Sequence, residues 1–208
     1  MVGEGLEPVV RLVAVTIGGT ATYHGRTDLP PLVAAAAGLA ARTGFDLSCL
    51  PAHGRLLSVL AAGRPGGRIG ETGTGCGVGL AWLATAADPT CSLVSIELDP
   101  TRAAAARELF AGTPNVTVLT GDFSELEASG PFDLLALDGG GGGKSGEDPI
   151  EPRRWLAPGG TVVLDDFTPR TAWPVDDPPR VHWLEHPDLL TTEIVTGPTS
   201  CTLVGTLR

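Results

Sequence analysis

The chain has 208 residues, 29 of them glycine and 18 proline, with 42% hydrophobic and 5% aromatic residues, enough for one domain with a sizeable core. Glycine is at about twice its usual share of roughly 7%, yet no G-X-Y period accompanies it, so collagen is excluded and the excess must be local. Twenty-four acids against 14 bases leave a net charge of −10, which repels a phosphate backbone; with no basic stripe to offset it, nucleic acid is disfavoured as a partner.

The apolar run 9–15 is too short to span a bilayer, and no other segment reaches about 18 uncharged apolar residues. No membrane partner and a cytoplasmic location are therefore expected. Cys49, Cys76, Cys91 and Cys201 are scattered without paired metal spacing and read as reduced, buried thiols. Residues 1–27 suggest no regular structure, with 18–22 reading as loop. Pro30 and Pro31 then start a helix that continues over 32–41, a connector follows over 44–51, and a second helix is predicted over 53–62. From Gly66 short apolar runs alternate with helical stretches, the pattern of an α/β sheet with helices on its faces. Parallel strands are expected at 68–71, 93–97, 116–119, 132–138 and 161–165, and helices at 79–87, 100–111, 124–128 and 150–156. Strands at 191–195 and 202–207 are joined too closely for a crossover helix, which implies an antiparallel hairpin at one end of the sheet. No linker separates domains: residues 1–65 are expected to pack on the core and shape the substrate site, and 66–208 to form the cofactor-binding core of one structural domain.

Glu71-Thr72-Gly73-Thr74-Gly75-Cys76-Gly77-Val78-Gly79 follows a strand and opens a helix. Glycines there let the chain turn sharply and bring backbone N–H groups near a ligand at a helix N-terminus; four at alternate positions are more than a bare turn requires. A dinucleotide fingerprint aligned on Gly73 and Gly75 needs glycine where Val78 stands. That weighs against an NAD-binding oxidoreductase, which stays open as an alternative together with a cofactor-binding protein that transfers nothing. Glu97 closes the second strand 24 residues after Gly73, near the spacing of a ribose-binding carboxylate; a strand-end acid without a ligand is the plainer reading.

These motifs resemble the class I S-adenosylmethionine-dependent methyltransferases. The nucleotide loop from Glu71 to Gly77, Glu97, Gly121-Asp122-Phe123 after the third strand, the fourth strand ending at Asp138, and Leu156-Ala157-Pro158-Gly159-Gly160 leading to Asp165-Asp166 occur in the family's order, over roughly Gly54 to the C-terminus. The resemblance implies a Rossmann-like, seven-stranded, mostly parallel sheet with helices on both faces and one reversed strand at its end. It implies S-adenosylmethionine as cofactor, held by Glu71, Gly73, Thr74, Gly75, Gly77, Glu97, Leu98, Asp122, Phe123 and Asp138. Glu71 would neighbour the cationic amine, Thr74 and the loop amides the carboxylate, Glu97 the ribose hydroxyls, and Asp122 the adenine amino group. For Asp122 a capping role on the next helix is the alternative.

Within the family the chain looks most like the small catechol-O-methyltransferase-like O-methyltransferases. This implies methylation of a small-molecule hydroxyl with Asp138 and Lys144 as catalytic residues. It also implies a divalent cation, Mg²⁺ or another, on Asp138, Asp165 and Asp166, with Asp166 standing where the group has Asn. Oxygen donors of this kind suit such ions. Lys144 lies farther from Asp138 than the group's lysine does, which leaves His53 and His24 as other candidates for the base. A homodimer rests on the resemblance alone. Gly139 to Gly143 before Lys144-Ser145 resemble a phosphate loop, but that motif requires glycine at Asp138 and a helix where Pro149 and Pro152 stand; a loose flap beside the pocket, or a plain solvated loop, is expected instead. His182 and His186 have metal-compatible i, i+4 spacing but read as a surface helix, and Trp173 and Trp183 as packing or substrate wall.

Overall fold

The computed structural model describes residues 17–169 and 177–208; the run 9–15 and Trp173 lie outside them. Proline opens five helices at their first position: α1 (Pro31–Thr43), α2 (Pro51–Ala62), α4 (Pro100–Leu109), α5 (Pro152–Trp155) and α6 (Pro178–Glu185). The N–H that proline lacks has no intrahelical acceptor there, and its fixed φ suits the first turn. Between α2 and α4, α3 (Val78–Ala86) starts from Gly77 in a left-handed conformation.

Seven strands, β1 (Arg68–Thr72), β2 (Ser92–Glu97), β3 (Val116–Thr120), β4 (Phe132–Leu137), β5 (Leu156–Phe167), β6 (Leu189–Gly197) and β7 (Ser200–Leu207), make one sheet in the order β3-β2-β1-β4-β5-β7-β6. The pairings among β1 to β5 are parallel, and β7 runs antiparallel to both β5 and β6. The seven-stranded, mostly parallel sheet and its terminal hairpin thus follow the sequence reading, with β7 as the reversed strand. Successive residues of β4 serve opposite faces, as a two-residue period demands. Leu134 and Ala136 join the core made with α1, α2, α3 and α4, while Leu135 and Leu137 join the core holding Trp155 and Trp183.

Several boundaries differ from expectation, β5 and β6 among them, which run over Leu156–Phe167 and Leu189–Gly197 rather than 161–165 and 191–195. The loop at 18–22 contains a 3-10 helix, Thr20–Tyr23, because Thr20 Oγ1 donates to the Phe45 carbonyl at 2.7 Å and the Tyr23 hydroxyl to that of Cys49 at 2.8 Å. The helix expected at 150–156 shrinks to α5 because Pro152 delays its start and Leu156 already pairs with Phe132 as part of β5. The stretch at 124–128 is a 3-10 helix, Phe123–Ser129, entered through an Asp122–Glu125 capping box. No helix among the described residues is long and apolar enough to cross a membrane. The four cysteines are free and buried, as expected.

Strand order reverses between β1 and β4. Thr72 pairs with Ile96 of β2 on one side and Leu137 of β4 on the other, so the residues that follow these three strands meet at their carboxyl ends. In an open α/β sheet this is where ligands bind.

Candidate active site

The turn after β1 is held from below. Gly73, Gly75 and Gly77 have φ of 80°, 55° and 86°, conformations that L-side chains rarely adopt. Gly73 N and Thr74 N donate to the Ile96 carbonyl at 2.9 and 3.2 Å, and Gly77 N to that of Thr74 at 2.7 Å. Gly75 N donates to Glu97 Oε2 at 2.7 Å. These four amides therefore have acceptors inside the protein, and the Thr74 hydroxyl pairs with Ser95 at 2.6 Å. Thr74 and these amides, expected near a ligand carboxylate, are thus bonded within the protein.

Glu71 is bonded in the same way. Its side chain lies beneath the turn, 2% exposed, where it accepts from Ser95 Oγ at 2.5 Å. Burial, reinforced by Asp138 and Glu97, pushes its carboxyl well above the usual range against the lowering effect of Ser95. The folded chain thus keeps a proton on Glu71 at pH values where the unfolded chain has lost it. Its contribution to stability is full below the unfolded carboxylate range and is lost as pH rises toward the folded value. Glu71→Gln keeps an uncharged side chain in that place, so urea melts at rising pH should show a flatter decline than the wild type. Parallel pH dependence of the two chains would contradict a neutral Glu71.

Glu97, 5% exposed, ends β2 with both oxygens engaged. Oε2 takes the Gly75 amide, while Oε1 accepts from Asp99 N at 2.9 Å and from Arg102 Nη2 and Nε at 2.8 and 3.1 Å. Asp99 also caps α4 through Thr101 N and Arg102 N, which sets Arg102 one turn into the helix and beside Glu97. The Arg102 guanidinium also lies 5.6 Å from the centre of the Phe45 ring. That ring is so close to Gly75 that a Cβ there would lie 2.8 Å from it.

One cleft is lined by Phe45, Leu47, Ser48 and Cys49 of the α1–α2 connector, by Gly73, Thr74, Gly75 and Cys76 of the turn, by Val78 and Gly79 of α3, and by Asp138. Of the residues expected in the site, Gly73, Thr74, Gly75 and Asp138 meet there, with Glu97 directly behind Gly75. Gly77 caps α3 and Glu71 lies under the turn. Leu98 stands beside Glu97, 71% exposed. Asp122 is exposed and caps the 3-10 helix, accepting from Ser124 N and Oγ at 3.0 and 2.6 Å, the alternative its sequence position left open. Phe123 packs against Gly140 and Gly141. Residues 1–65 are expected from sequence to shape the site, but nothing local singles out 45–49 as the part that lines it.

Asp138 follows β4, and its amide and that of Gly139 both donate to the Thr72 carbonyl, at 3.2 and 2.8 Å. A Cβ on Gly139 would lie 2.3 Å from Gly73 Cα, so the two glycine stretches touch backbone to backbone. The rest of the run is packed too. Gly140, Gly141 and Gly143 have positive φ, the Gly140 carbonyl accepts from Thr72 Oγ1 at 2.8 Å, and the Gly142 carbonyl accepts from Trp183 Nε1 at 2.9 Å. This corrects the expectation of a loose flap: the glycines are there for close approach. Trp183, wholly buried, is packing. No helix directly follows Lys144, in agreement with the rejection of a phosphate loop.

Behind Asp138 lie the remaining charges. Burial, with Asp166 and Asp165 adding and Lys144 opposing, pushes the Asp138 carboxyl up to about 8. Asp165, 2% exposed, accepts from the Thr202 hydroxyl at 3.1 Å through Oδ1, and the same oxygen is 3.4 Å from His53 Nδ1. His53 Nδ1 is itself 2.9 Å from Thr202 Oγ1, and burial holds its pKa below the ordinary imidazole value. Asp166 takes a left-handed φ of 62°. Lys144 Nζ donates to the Asp165 carbonyl at 2.7 Å and lies 5.8 Å from the centre of the Phe167 ring. Among the described residues no three His, Cys, Asp or Glu side chains are grouped to hold a metal ion. The expected set of Asp138, Asp165 and Asp166 does not form such a group, and one Asp165 oxygen is engaged by Thr202 and lies near His53. His24 is exposed, as is His182 on α6; His186 follows that helix and accepts from Asp188 N.

Comparison with known proteins agrees with this geometry. Residues 71–167 match the family model described as a methyltransferase domain. A curated relative from Mycobacterium sp. (strain JLS), named "Putative O-methyltransferase", is 31% identical over 124 residues, 55% of this chain and 54% of its own length. The match therefore spans about half of that relative. Among solved structures, the O-methyltransferase TomG from Streptomyces achromogenes, in complex with S-adenosylmethionine, superposes with a TM-score of 0.69 at 21% identity, over 91% of this chain and 96% of that one. An O-methyltransferase from Bacillus cereus, in complex with S-adenosylhomocysteine, gives a TM-score of 0.67 at 17% identity with the same coverage. The likeness to these structures is one of fold: a seven-stranded, mostly parallel sheet with one reversed strand and a glycine turn at its switch point.

Proposed function

We propose that the chain is an S-adenosylmethionine-dependent O-methyltransferase acting on a small-molecule hydroxyl. The observation that carries this reading is the junction of three strand ends. The glycine turn after β1, Glu97 at the end of β2 and Asp138 after β4 converge on one cleft, and the connector at 44–50 closes its outer side. A cofactor with a ribose diol and a cationic sulfonium is suited by buried strand-end carboxylates beside a turn of low steric bulk. The relatives' names and the cofactor-bound neighbours support the same class of reaction.

S-adenosylmethionine supplies a methyl group on sulfur. With that cofactor bound, an acceptor hydroxyl would take the methyl group as sulfur keeps the bonding pair, its proton passing to solvent or to a base beside it. The protein's part is to hold the two reactants in line and exclude water. Glu97, fixed by Gly75 N and Asp99 N, receives the ribose hydroxyls when Arg102, with 38% of its side chain exposed, gives up its bonds to Oε1. Gly73 and Gly75 keep the cleft wall at backbone thickness. Asp138, the ionisable group of that wall, is assigned to the acceptor hydroxyl. Phe45, Leu47, Ser48 and Cys49 wall the acceptor side, so residues before β1 shape selectivity. The divalent cation implied by the resemblance would fall to Asp138, Asp165 and Asp166, which do not form a three-ligand group here.

Calorimetry with S-adenosylhomocysteine and with NAD tests the reading. Saturable binding of S-adenosylhomocysteine, with no heat from NAD, is expected. Tight NAD binding without a response to S-adenosylhomocysteine would overturn it in favour of an oxidoreductase.

A further inference from the structure

Two walls of the cleft come from different parts of the chain, the α1–α2 connector and the start of α3, and one side chain is bonded to both elements. Tyr23 ends the 3-10 helix Thr20–Tyr23 and is buried. Its hydroxyl donates to the Cys49 carbonyl at 2.8 Å and accepts from Trp82 Nε1 at 3.1 Å. Cys49 lines the cleft, and Trp82 lies one helical turn beyond Val78, which lines it from the α3 side. An indole nitrogen can only donate, so the phenol keeps its own proton for the carbonyl and both bonds are satisfied at once. Burial, with Cys49 adding to it, pushes the phenol well above its ordinary value against the lowering effect of Trp82, so that proton stays in place. Thr20 braces the same connector: its Oγ1 donates to the Phe45 carbonyl at 2.7 Å and lies 2.7 Å from Ser48 Oγ. Phe45, Ser48 and Cys49 are thus tied to the 3-10 helix, and Tyr23 carries the tie on to α3.

We propose that Tyr23 is a positioning residue for the cofactor, a pin whose hydroxyl holds the connector against α3 and so fixes the width of the cleft. The inference rests on the reading of this cleft as the S-adenosylmethionine site. Tyr23 stands behind the lining rather than in it, and acts through Cys49 and Trp82. Tyr23→Phe keeps the ring in its core and removes both bonds, which frees the two walls to part. A ligand that touches both must then order them as it binds, and binds more weakly for that reason. The coupling is reciprocal: a ligand that prefers the pinned cleft holds the pin shut by the same factor.

The test is Tyr23→Phe in the full chain, with affinity for S-adenosylhomocysteine and melting temperature measured on the same samples. Well below its melting temperature the variant should bind S-adenosylhomocysteine about fivefold more weakly or worse, the equivalent of one hydrogen bond. Ser58→Ala is the control. Ser58 Oγ donates to the Trp82 carbonyl at 2.8 Å, so its loss also takes a bond from Trp82, but that bond ties α2 to α3 and leaves the connector alone. It should lower the melting temperature by a few degrees and leave the affinity unchanged. If Tyr23→Phe behaves in the same way, with lower stability and wild-type affinity, Tyr23 is a structural residue only and the proposal is overturned. Trp82→Phe opens the link from the α3 side. Combined with Tyr23→Phe it should weaken binding no further than the worse single variant, because both remove one link; losses that multiply would count against the pin. The wild type gives a reading that needs no variant to fold. Saturating S-adenosylhomocysteine should slow solvent exchange of the Trp82 indole proton, followed by NMR, about fivefold or more, and unchanged exchange overturns the proposal. A wild type that does not bind S-adenosylhomocysteine overturns the methyltransferase reading, whereas equal affinity in wild type and Tyr23→Phe overturns this inference alone.

Discussion

Gly139→Ala is expected to lower both stability and cofactor affinity although it adds a single methyl group. Its Cβ would meet Gly73 Cα at 2.3 Å, Gly73 N at 2.8 Å and the Thr72 carbonyl carbon at 3.3 Å. All three are backbone atoms of the β1 end, so no side chain can swing aside to relieve the contact. The strand ends must separate by on the order of 1 Å in an interior packed as tightly as a crystal. Overpacking of this kind costs about 1–3 kcal/mol, which corresponds to a fall in melting temperature of about 3–10 °C for a chain of this size. The displaced element carries Asp138 on one side and the glycine turn on the other. A misplacement of about 1 Å at reacting groups lowers turnover by roughly a hundredfold. Gly73→Ala should be worse, because its φ of 80° adds backbone strain to a 2.4 Å contact with Gly139 Cα. Gly159→Ala is the control: φ is 75° but nothing lies within 4 Å of the added carbon, so it should show about 1–2 kcal/mol of strain and unchanged affinity for S-adenosylhomocysteine. Equal melting temperatures and affinities for Gly139→Ala and the wild type would disprove the close approach.

That contact also shows where sequence reading stops. Most strands were legible as short apolar runs separated by turn residues, and β1 to β4 lie within a residue or two of expectation. The terminal hairpin was legible because five residues cannot hold a crossover helix. The glycine run after Asp138 read as a flap because composition records the freedom of glycine and not its neighbours. Only the register that sets Thr72 beside Leu137 shows that Gly139 must be bare to clear Gly73. Long separations hid other parts of the site. His53 and Thr202 are 149 residues apart in sequence and 2.9 Å apart in space, and Phe45 reaches Gly75 across a helix and two strand ends. Glu71 and Thr74 make contacts that their local sequence does not show. A polar residue in a glycine turn looks available to a ligand, whereas Ser95, one strand away, had already taken both side chains. Arg102 carried a local signal: five residues after Glu97, behind a capping Asp99, it is placed by helix geometry on the carboxylate it pairs with.

Glu97→Gln should separate the cofactor role of this carboxylate from its structural one. The ionised side chain accepts on both oxygens, from Gly75 N on one side and from Asp99 N and Arg102 on the other. An amide has one acceptor and two donors. Whichever way it is turned, its NH₂ faces a donor, the Gly75 amide or the Asp99 and Arg102 groups. A buried donor left unsatisfied costs about 1–3 kcal/mol, and the loss of the Arg102 pair adds little because that side chain is 38% exposed and screened by solvent. A fall in melting temperature of about 3–10 °C is expected. Ribose hydroxyls lose a charged acceptor in the same substitution, worth about 1.5–3 kcal/mol, so affinity for S-adenosylhomocysteine should fall by about 10–100-fold. Arg102→Ala resolves the two contributions. It leaves Glu97 charged and bound to Gly75 N, frees Oε1, and should keep affinity within about threefold of the wild type while costing under about 1 kcal/mol of stability. If Glu97→Gln loses stability but binds S-adenosylhomocysteine as tightly as the wild type, Glu97 is a strut of the turn and the ribose must be held elsewhere in the cleft.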